Sequence, residues 1–171
     1  QLAPRLAALG CRVIVGEELR THHGEIIGLF LRERLPHGMA SAEAAAAVRA
    51  QGGLVYVPHP FDPTKRNLAE QALVALVGAG LVDAVEVLNA KIALPGLDTR
   101  AAAFAAGHDL APGAGSDGHV PDALGAAYMV MPDFDGPQEM LHSLRIGRAV
   151  GHHWDEHRPW RPRILPSLTA E

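Results

Sequence analysis

Short apolar runs alternate with helix-forming stretches along most of this chain. Four of the runs, Arg12 to Val15, Leu54 to Val57, Ala84 to Leu88 and the stretch before Asp117, carry or lead into side chains able to bind a metal. These are Glu17 and Glu18, His59 within Pro58-His59-Pro60, Glu86 with Asn89, and Asp117 with His119. A further run, Glu25 to Leu31, is nearly continuous in apolar residues and predicts a strand buried on both faces. Ala42 to Ala50 predicts a helix, with the Ser41 hydroxyl as its cap and Gly52-Gly53 as its end. Helices near Asn67 to Val77 and Thr99 to Ala106, a strand at Ala127 to Met131 and a helix at Pro137 to Ile146 continue the alternation. That order predicts an α/β fold with a parallel sheet and right-handed crossovers. Strand ends on one face of such a sheet converge, so ligands distant in sequence become one cluster.

The length of 171 residues suits one domain. The first residue is Gln1 rather than Met, and Leu2 to Leu9 reads as the later turns of a helix with no cap before it, so further residues are expected upstream. From His152 the composition changes to His152, His153, His157, Trp154 and Trp160 among Arg158, Arg161 and Arg163. We therefore expect a domain over 1–151 and a tail over 152–171 lying on its surface. The net charge of −4 and pI near 6.2 argue against a polyanion-binding face, leaving nucleic acid only as a substrate. One cysteine, Cys11, cannot form an internal disulfide, and it is expected as a small buried residue opening the first strand. No apolar run approaches the ~20 residues that cross a bilayer, so no membrane partner is expected and the cytoplasm is the expected compartment.

In an extended segment Asp117 and His119, two apart, point to the same side. Mixed carboxylate and imidazole ligands suit Mn²⁺, Zn²⁺ or Fe²⁺. The competing reading is a turn capped by Asp117 with His119 incidental. Prolines on both sides of His59 fix the backbone there, which holds the imidazole at a rigid strand end.

These segments together resemble the PHP (polymerase and histidinol phosphatase) family of metallohydrolases. The segments are Val13-Ile14-Val15-Gly16-Glu17-Glu18-Leu19, Gly24-Glu25-Ile26-Ile27-Gly28-Leu29-Phe30, Gly52-Gly53-Leu54 through Pro58-His59-Pro60-Phe61-Asp62, Val85-Glu86-Val87-Leu88-Asn89-Ala90 and Gly115-Ser116-Asp117-Gly118-His119. The resemblance implies a distorted (β/α)7 TIM-like barrel with two or three divalent metals (Mn, Zn or Fe) at its strand ends, hydrolysing phosphoesters. Motif for motif it implies Glu18, His59, Asp117 and His119 as metal ligands, with Glu17 as the neighbour should the register differ by one. A further ligand is implied at His22, His23 or Glu25, without choosing among them. The family's opening His-x-His, nearby aspartate and Asp-His do not occur upstream of Glu18. The chain therefore looks like the C-terminal two-thirds of a PHP domain, expected to bind metal poorly, to be impaired in catalysis and to leave open sheet edges.

For the parent protein the expectation is hydrolysis of a small phosphorylated substrate. Arg66 and Arg20 are placed to pair with phosphate, and Asn89 to line the pocket or donate to the substrate. Two rivals accompany it: a degenerate, non-catalytic binding or structural module, and a barrel metallohydrolase acting on C–N bonds. Catalytic side chains beyond the metal ligands, and the oligomeric state, carry no readable signal.

Overall fold

The computed structural model describes residues 3–153 except 93 and 95. The elements are α1 (Ala3–Ala7), β1 (Gly16–Thr21), β2 (Gly24–Leu29), α2 (Ser41–Ala50), β3 (Leu54–Val57), α3 (Glu70–Gly78), β4 (Ala84–Asn89), α4 (Gly96–Gly107), β5 (Ala111–Gly115), a 3-10 turn (Pro121–Ala123), β6 (Ala127–Val130), α5 (Pro137–Ile146) and β7 (Arg148–Gly151). Strands β1 to β5 form one sheet in sequence order, and β6 and β7 form a separate ribbon. The sheet is mixed rather than wholly parallel: β1, β2 and β3 pair antiparallel, and β3, β4 and β5 pair parallel. Among the described residues the strands make an open sheet and a ribbon, not a closed barrel.

The first strand lies later than its apolar run predicts. Residues 11–15 are irregular, Cys11 is exposed, and Val13 and Val15 are exposed, so the run Arg12 to Val15 is not a strand and Cys11 is not a core residue. The ladder begins where Gly16 meets Leu29 and is set by Leu19 opposite Ile26, both fully buried. That register decides the site. With Leu19 and Ile26 facing the helices, side chains alternate and Glu18, Arg20, Glu25 and Ile27 all face the other side. Gly24, at φ +125, turns the hairpin, and a Cβ there would lie 2.3 Å from the Asn67 carbonyl.

Strand β3 is buried at every position, as a continuous apolar run should be. Asp83, before β4, accepts the Val55 amide at 2.8 Å and pairs with Arg49 of α2 at 2.5 Å, tying strand, loop and helix. Helix α2 begins one residue earlier than expected. Ala40 takes the N-cap position and its amide donates to the Glu43 carboxylate, while the Ser41 hydroxyl hydrogen-bonds His23 Nδ1 at 2.8 Å instead of capping. Helices α2, α3 and α4 cover one sheet face through Val48, Leu73, Leu76 and Ala105. On the other face Leu54, Tyr56, Ala84 and Ala111 meet Met140 and Leu144 of α5.

Strand β5, Ala-Pro-Gly-Ala-Gly, has little strand propensity. Its glycine at 113 is dictated by packing: a Cβ there would lie 2.3 Å from the Tyr56 ring. The predicted strand at Ala127 to Met131 is β6, whose partner β7 was not foreseen. No helix among the described residues is long and apolar enough to cross a membrane. The expected tail lies outside the described residues from Trp154 onward.

Candidate metal centre

Three parallel strands deliver their C-terminal ends to one place. Strand β3 runs into Pro58-His59-Pro60, β4 ends at Asn89, and β5 leads to Asp117. His59 and Asp117 both take left-handed backbone conformations, at φ 30 and φ 46. Such conformations cost about 1–3 kcal/mol each outside glycine and gather at functional sites. At Asp117 the backbone is therefore turned rather than extended, and it is the turn that brings His119 Nδ1 to 3.4 Å from the Asp117 carboxylate.

One donor atom each from Glu18, Glu25 and His59 lie within 4.8 Å of one another. His59 is 5% exposed. Its amide donates to Glu86 Oε2 at 2.7 Å, and its Nε2 stands 3.7 Å from Glu18 Oε1. Its Nδ1 is buried with no hydrogen-bond partner among the described residues. The ring nitrogen set toward the Glu18 carboxylate is Nε2, so it is Nε2 that an ion held with that carboxylate would meet. Two carboxylates and an imidazole around one point form a donor set that fits a divalent transition metal.

A second layer of hydrogen bonds holds these groups. Asn89 is 1% exposed. Its Nδ2 donates to Glu86 at 2.8 Å and reaches Asp117 Oδ2 at 3.5 Å, while its Oδ1 accepts the Lys91 amide at 2.8 Å. Glu86 thus joins the main chain of His59 to the side chain of Asn89. It also lines a cavity of about 390 Å³ shared with Ile27, Tyr56, Gly115, Met129 and Met140. Lys65 Nζ contacts Asp117 Oδ2, and Lys91 Nζ lies 3.0 Å from His119 Nδ1.

The electrostatics are uneven. The His59 ring beside it holds the Glu18 carboxyl below its usual range, against the effect of burial. Burial, and then the charge of Glu18, push Glu25 up. Burial also raises Glu86, despite the donors Asn89 and His59. At Asp117 burial acts upward but Lys65 outweighs it, leaving the carboxyl low. Burial lowers Lys91, with Asp117 opposing and Lys65 adding to the shift. Several titratable groups perturbed by burial and by one another within one cleft are the usual mark of a functional site.

Of the residues implied as ligands, Glu18 and His59 meet directly, and Asp117 joins them through Asn89 and Glu86. His119 folds back on Asp117, with Nδ1 2.8 Å from the Asp117 carbonyl oxygen. Glu17 points to the opposite face of β1, toward Arg34 and the Leu35 amide. Among His22, His23 and Glu25, Glu25 joins the cluster. Arg20 pairs with Glu25 at 3.6 Å, with its side chain 66% exposed. Arg66 is exposed and its carbonyl accepts the Glu25 amide at 2.8 Å. Lys65 and Lys91 were not anticipated. Their signal was position alone, one residue before Arg66 and two after Asn89.

Comparison with known proteins bears on this arrangement. Residues 98–149 match the PHP-associated family model. An uncharacterized protein of Methanocaldococcus jannaschii is 38% identical over 142 residues, covering 78% of this chain and 60% of that protein. A second from the same organism is 41% identical over 81 residues, covering 47% of this chain and 44% of its own length. The chain thus spans 60% or less of the curated relatives it matches. Among solved structures, a two-domain protein from Bacteroides vulgatus containing a predicted PHP-like metal-dependent phosphoesterase aligns with a TM-score of 0.65 at 19% identity, over 87% of this chain and 47% of that one. PsfC from Pseudomonas syringae aligns with a TM-score of 0.58 at 22% identity, over 80% of this chain and 58% of that one. At these identities the structural likeness speaks to the fold.

Proposed function

We propose that this chain, whose residues 98–149 match the PHP-associated family model, carries part of the metal centre of a divalent-metal-dependent phosphoesterase acting on a small phosphorylated substrate. The observation that carries this is the convergence of Glu18, Glu25 and His59 on one point, one donor atom of each lying within 4.8 Å of the others. Glu18, Glu25 and His59 hold one ion, and Asp117 with His119 supplies ligands on the adjoining side. An ion held by these residues, Mn²⁺, Zn²⁺ or Fe²⁺, would supply Lewis-acid chemistry toward a phosphoryl oxygen and a water made acidic near neutral pH. The sheet belongs, in this reading, to a distorted (β/α)7 barrel of the PHP type.

The chain's own groups have separable tasks. Glu86 fixes the main chain of His59 and so the direction of its ring. Asn89, with both ends of its amide engaged, keeps Glu86 and Asp117 at a set separation. Arg20 shares a face with Glu18 and offers a guanidinium to phosphate at the rim, and Arg66 a second one beside it.

The test is turnover by this chain, with Mn²⁺, of a chromogenic phosphomonoester, a phosphodiester and an aryl amide. Metal-dependent phosphoester hydrolysis, reduced about 100-fold or more in His59→Ala, is the expected result. Amide turnover alone would favour C–N chemistry, and Mn²⁺ uptake without any turnover would favour a non-catalytic module.

A further inference from the structure

Ion pairs at the surface of this molecule, such as Arg12–Asp133, Arg100–Glu70 and Arg145–Asp109, keep both side chains at least 42% exposed. Pairs of that kind add little to stability. The pair of Asp98 and His153 differs. His153 Nε2 lies 2.6 Å from Asp98 Oδ2, with the aspartate side chain 12% exposed and the imidazole 35%. The other oxygen, Asp98 Oδ1, accepts the main-chain amide of Asn89 at 3.2 Å. Asp98 stands in the first turn of α4, where the free amides of the helix favour a carboxylate. From there it reaches back to the last residue of β4 and across to the residue two beyond β7.

Asn89 gives this link its consequence. Its Nδ2 is spent on Glu86 and Asp117 and its Oδ1 on the Lys91 amide, while Glu86 holds the amide of His59. A side-chain amide turns about two bonds, so its reach is fixed only when the main chain behind it is fixed. Asp98 fixes that main chain. The β6–β7 ribbon braces the other side of the site through Ser116, whose Oγ donates to the Ala127 carbonyl at 3.1 Å and accepts the Gly125 amide at 2.9 Å, and Asp117 is the next residue. His152 donates its amide to the Ala126 carbonyl at 2.9 Å, which anchors the chain just before His153.

Resting on the metal-centre reading above, we propose that Asp98 and His153 are positioning residues of that centre. His153 orients the Asp98 carboxylate, Asp98 sets the main chain of Asn89, and Asn89 sets the separation of Glu86 and Asp117. Both residues act through Asn89 rather than by touching an ion or a substrate. The centre then depends on the segment that follows β7 as well as on the strand ends that carry its ligands.

Mn²⁺ affinity, read by calorimetry, reports both the effect and its route. Asp98→Ala should weaken Mn²⁺ binding about tenfold, and Asp98→Asn, which keeps an acceptor oxygen, should recover most of the loss. His153→Ala, one contact further from the ion, should weaken binding about fivefold, and His153→Gln, whose side-chain amide supplies a donor, should recover part. In the Asn89→Ala background, Asp98→Ala should add less than about a twofold loss, because residues that act through one another are not additive. A merely structural role for Asp98 would add the same factor in both backgrounds. Should Asp98→Ala fail to fold, the His153 variants, alone and combined with Asn89→Ala, carry the test.

Mn²⁺ affinity in Asp98→Ala within about twofold of the unsubstituted chain would overturn the proposal and leave the metal centre standing. An undiminished loss in the Asn89→Ala background would overturn it as well. Unchanged affinity in His153→Ala alone would remove His153 from it. If the unsubstituted chain takes up no Mn²⁺, the metal reading falls, and the restraint is read from the side-chain amide protons of Asn89 by NMR. Their exchange with solvent should quicken in Asp98→Ala, and unchanged exchange would overturn the restraint too.

Discussion

At His59 a left-handed backbone and an amide held by Glu86 fix the ring, and its Nε2 is set toward the Glu18 carboxylate. Removing that ring in His59→Ala should lower Mn²⁺ affinity about 100-fold or more, read by calorimetry. Asn89 gives a finer test, because its amide is spent on Glu86, Asp117 and the Lys91 backbone. Asn89→Ala should lower Mn²⁺ affinity about 10-fold by loosening those neighbours, whereas a residue that only lined the substrate pocket would leave metal affinity unchanged. Gly113 is constrained from the opposite direction. A methyl group there meets the Tyr56 ring, so Gly113→Ala should cost about 1–3 kcal/mol in urea unfolding, and adding Tyr56→Leu should recover part of it. His59 and Asp117 stood out in the sequence because rigid prolines and a Ser-Asp-Gly-His string marked them. Lys65, Lys91 and the choice of Glu25 did not, because each depends on side chains brought together from separate loops or across a hairpin.

At the scale of elements, the β1–β2 hairpin governs the site more than any single ligand does. Leu19 and Ile26 anchor its register, and the alternation of the strand then turns Glu18 and Glu25 toward His59. Leu19→Ala should destabilise the fold by about 2–5 kcal/mol, and metal affinity should fall with it if register is lost. Asp83 plays the corresponding part for the parallel strands: Asp83→Ala leaves the Val55 amide unmet and should cost about 1–3 kcal/mol. Strand β3, helix α5 and the crossover helices were legible because apolar runs and glycine stops coincide with them. Strand β1 was misplaced because Val13, Ile14 and Val15 read as more strand-like than Gly16 to Thr21. In the fold, however, the ladder with β2 begins at Gly16, and of the apolar run Val13 and Val15 are exposed while Ile14 packs against the core on the α5 side. Strand β7 was missed because four residues directly after a helix carry almost no pattern of their own. The hairpin's antiparallel sense was missed because His22-His23-Gly24 was read for ligands rather than for the turn.

For the whole molecule, a mixed sheet is packed against α2, α3 and α4 on one face and against α5 on the other, and the candidate site draws its side chains from several of these strands, so metal binding should be coupled to stability. At about 100 times Kd, Mn²⁺ should add roughly 2.7 kcal/mol, raising the melting temperature by roughly 5–10 °C, and His59→Ala should lose that rise. The α/β class and the convergence of strand ends were readable from the alternation of elements. The open, mixed topology was not, because strand direction is set by connections and pairing rather than by composition. The most direct test of the metal centre is anomalous diffraction at the manganese edge from crystals of this chain grown with Mn²⁺. The account predicts a peak about 2.0–2.3 Å from a carboxylate oxygen of Glu18, one of Glu25 and a ring nitrogen of His59. A chain that binds Mn²⁺ elsewhere, or shows no peak among these three residues at saturating metal, would contradict it.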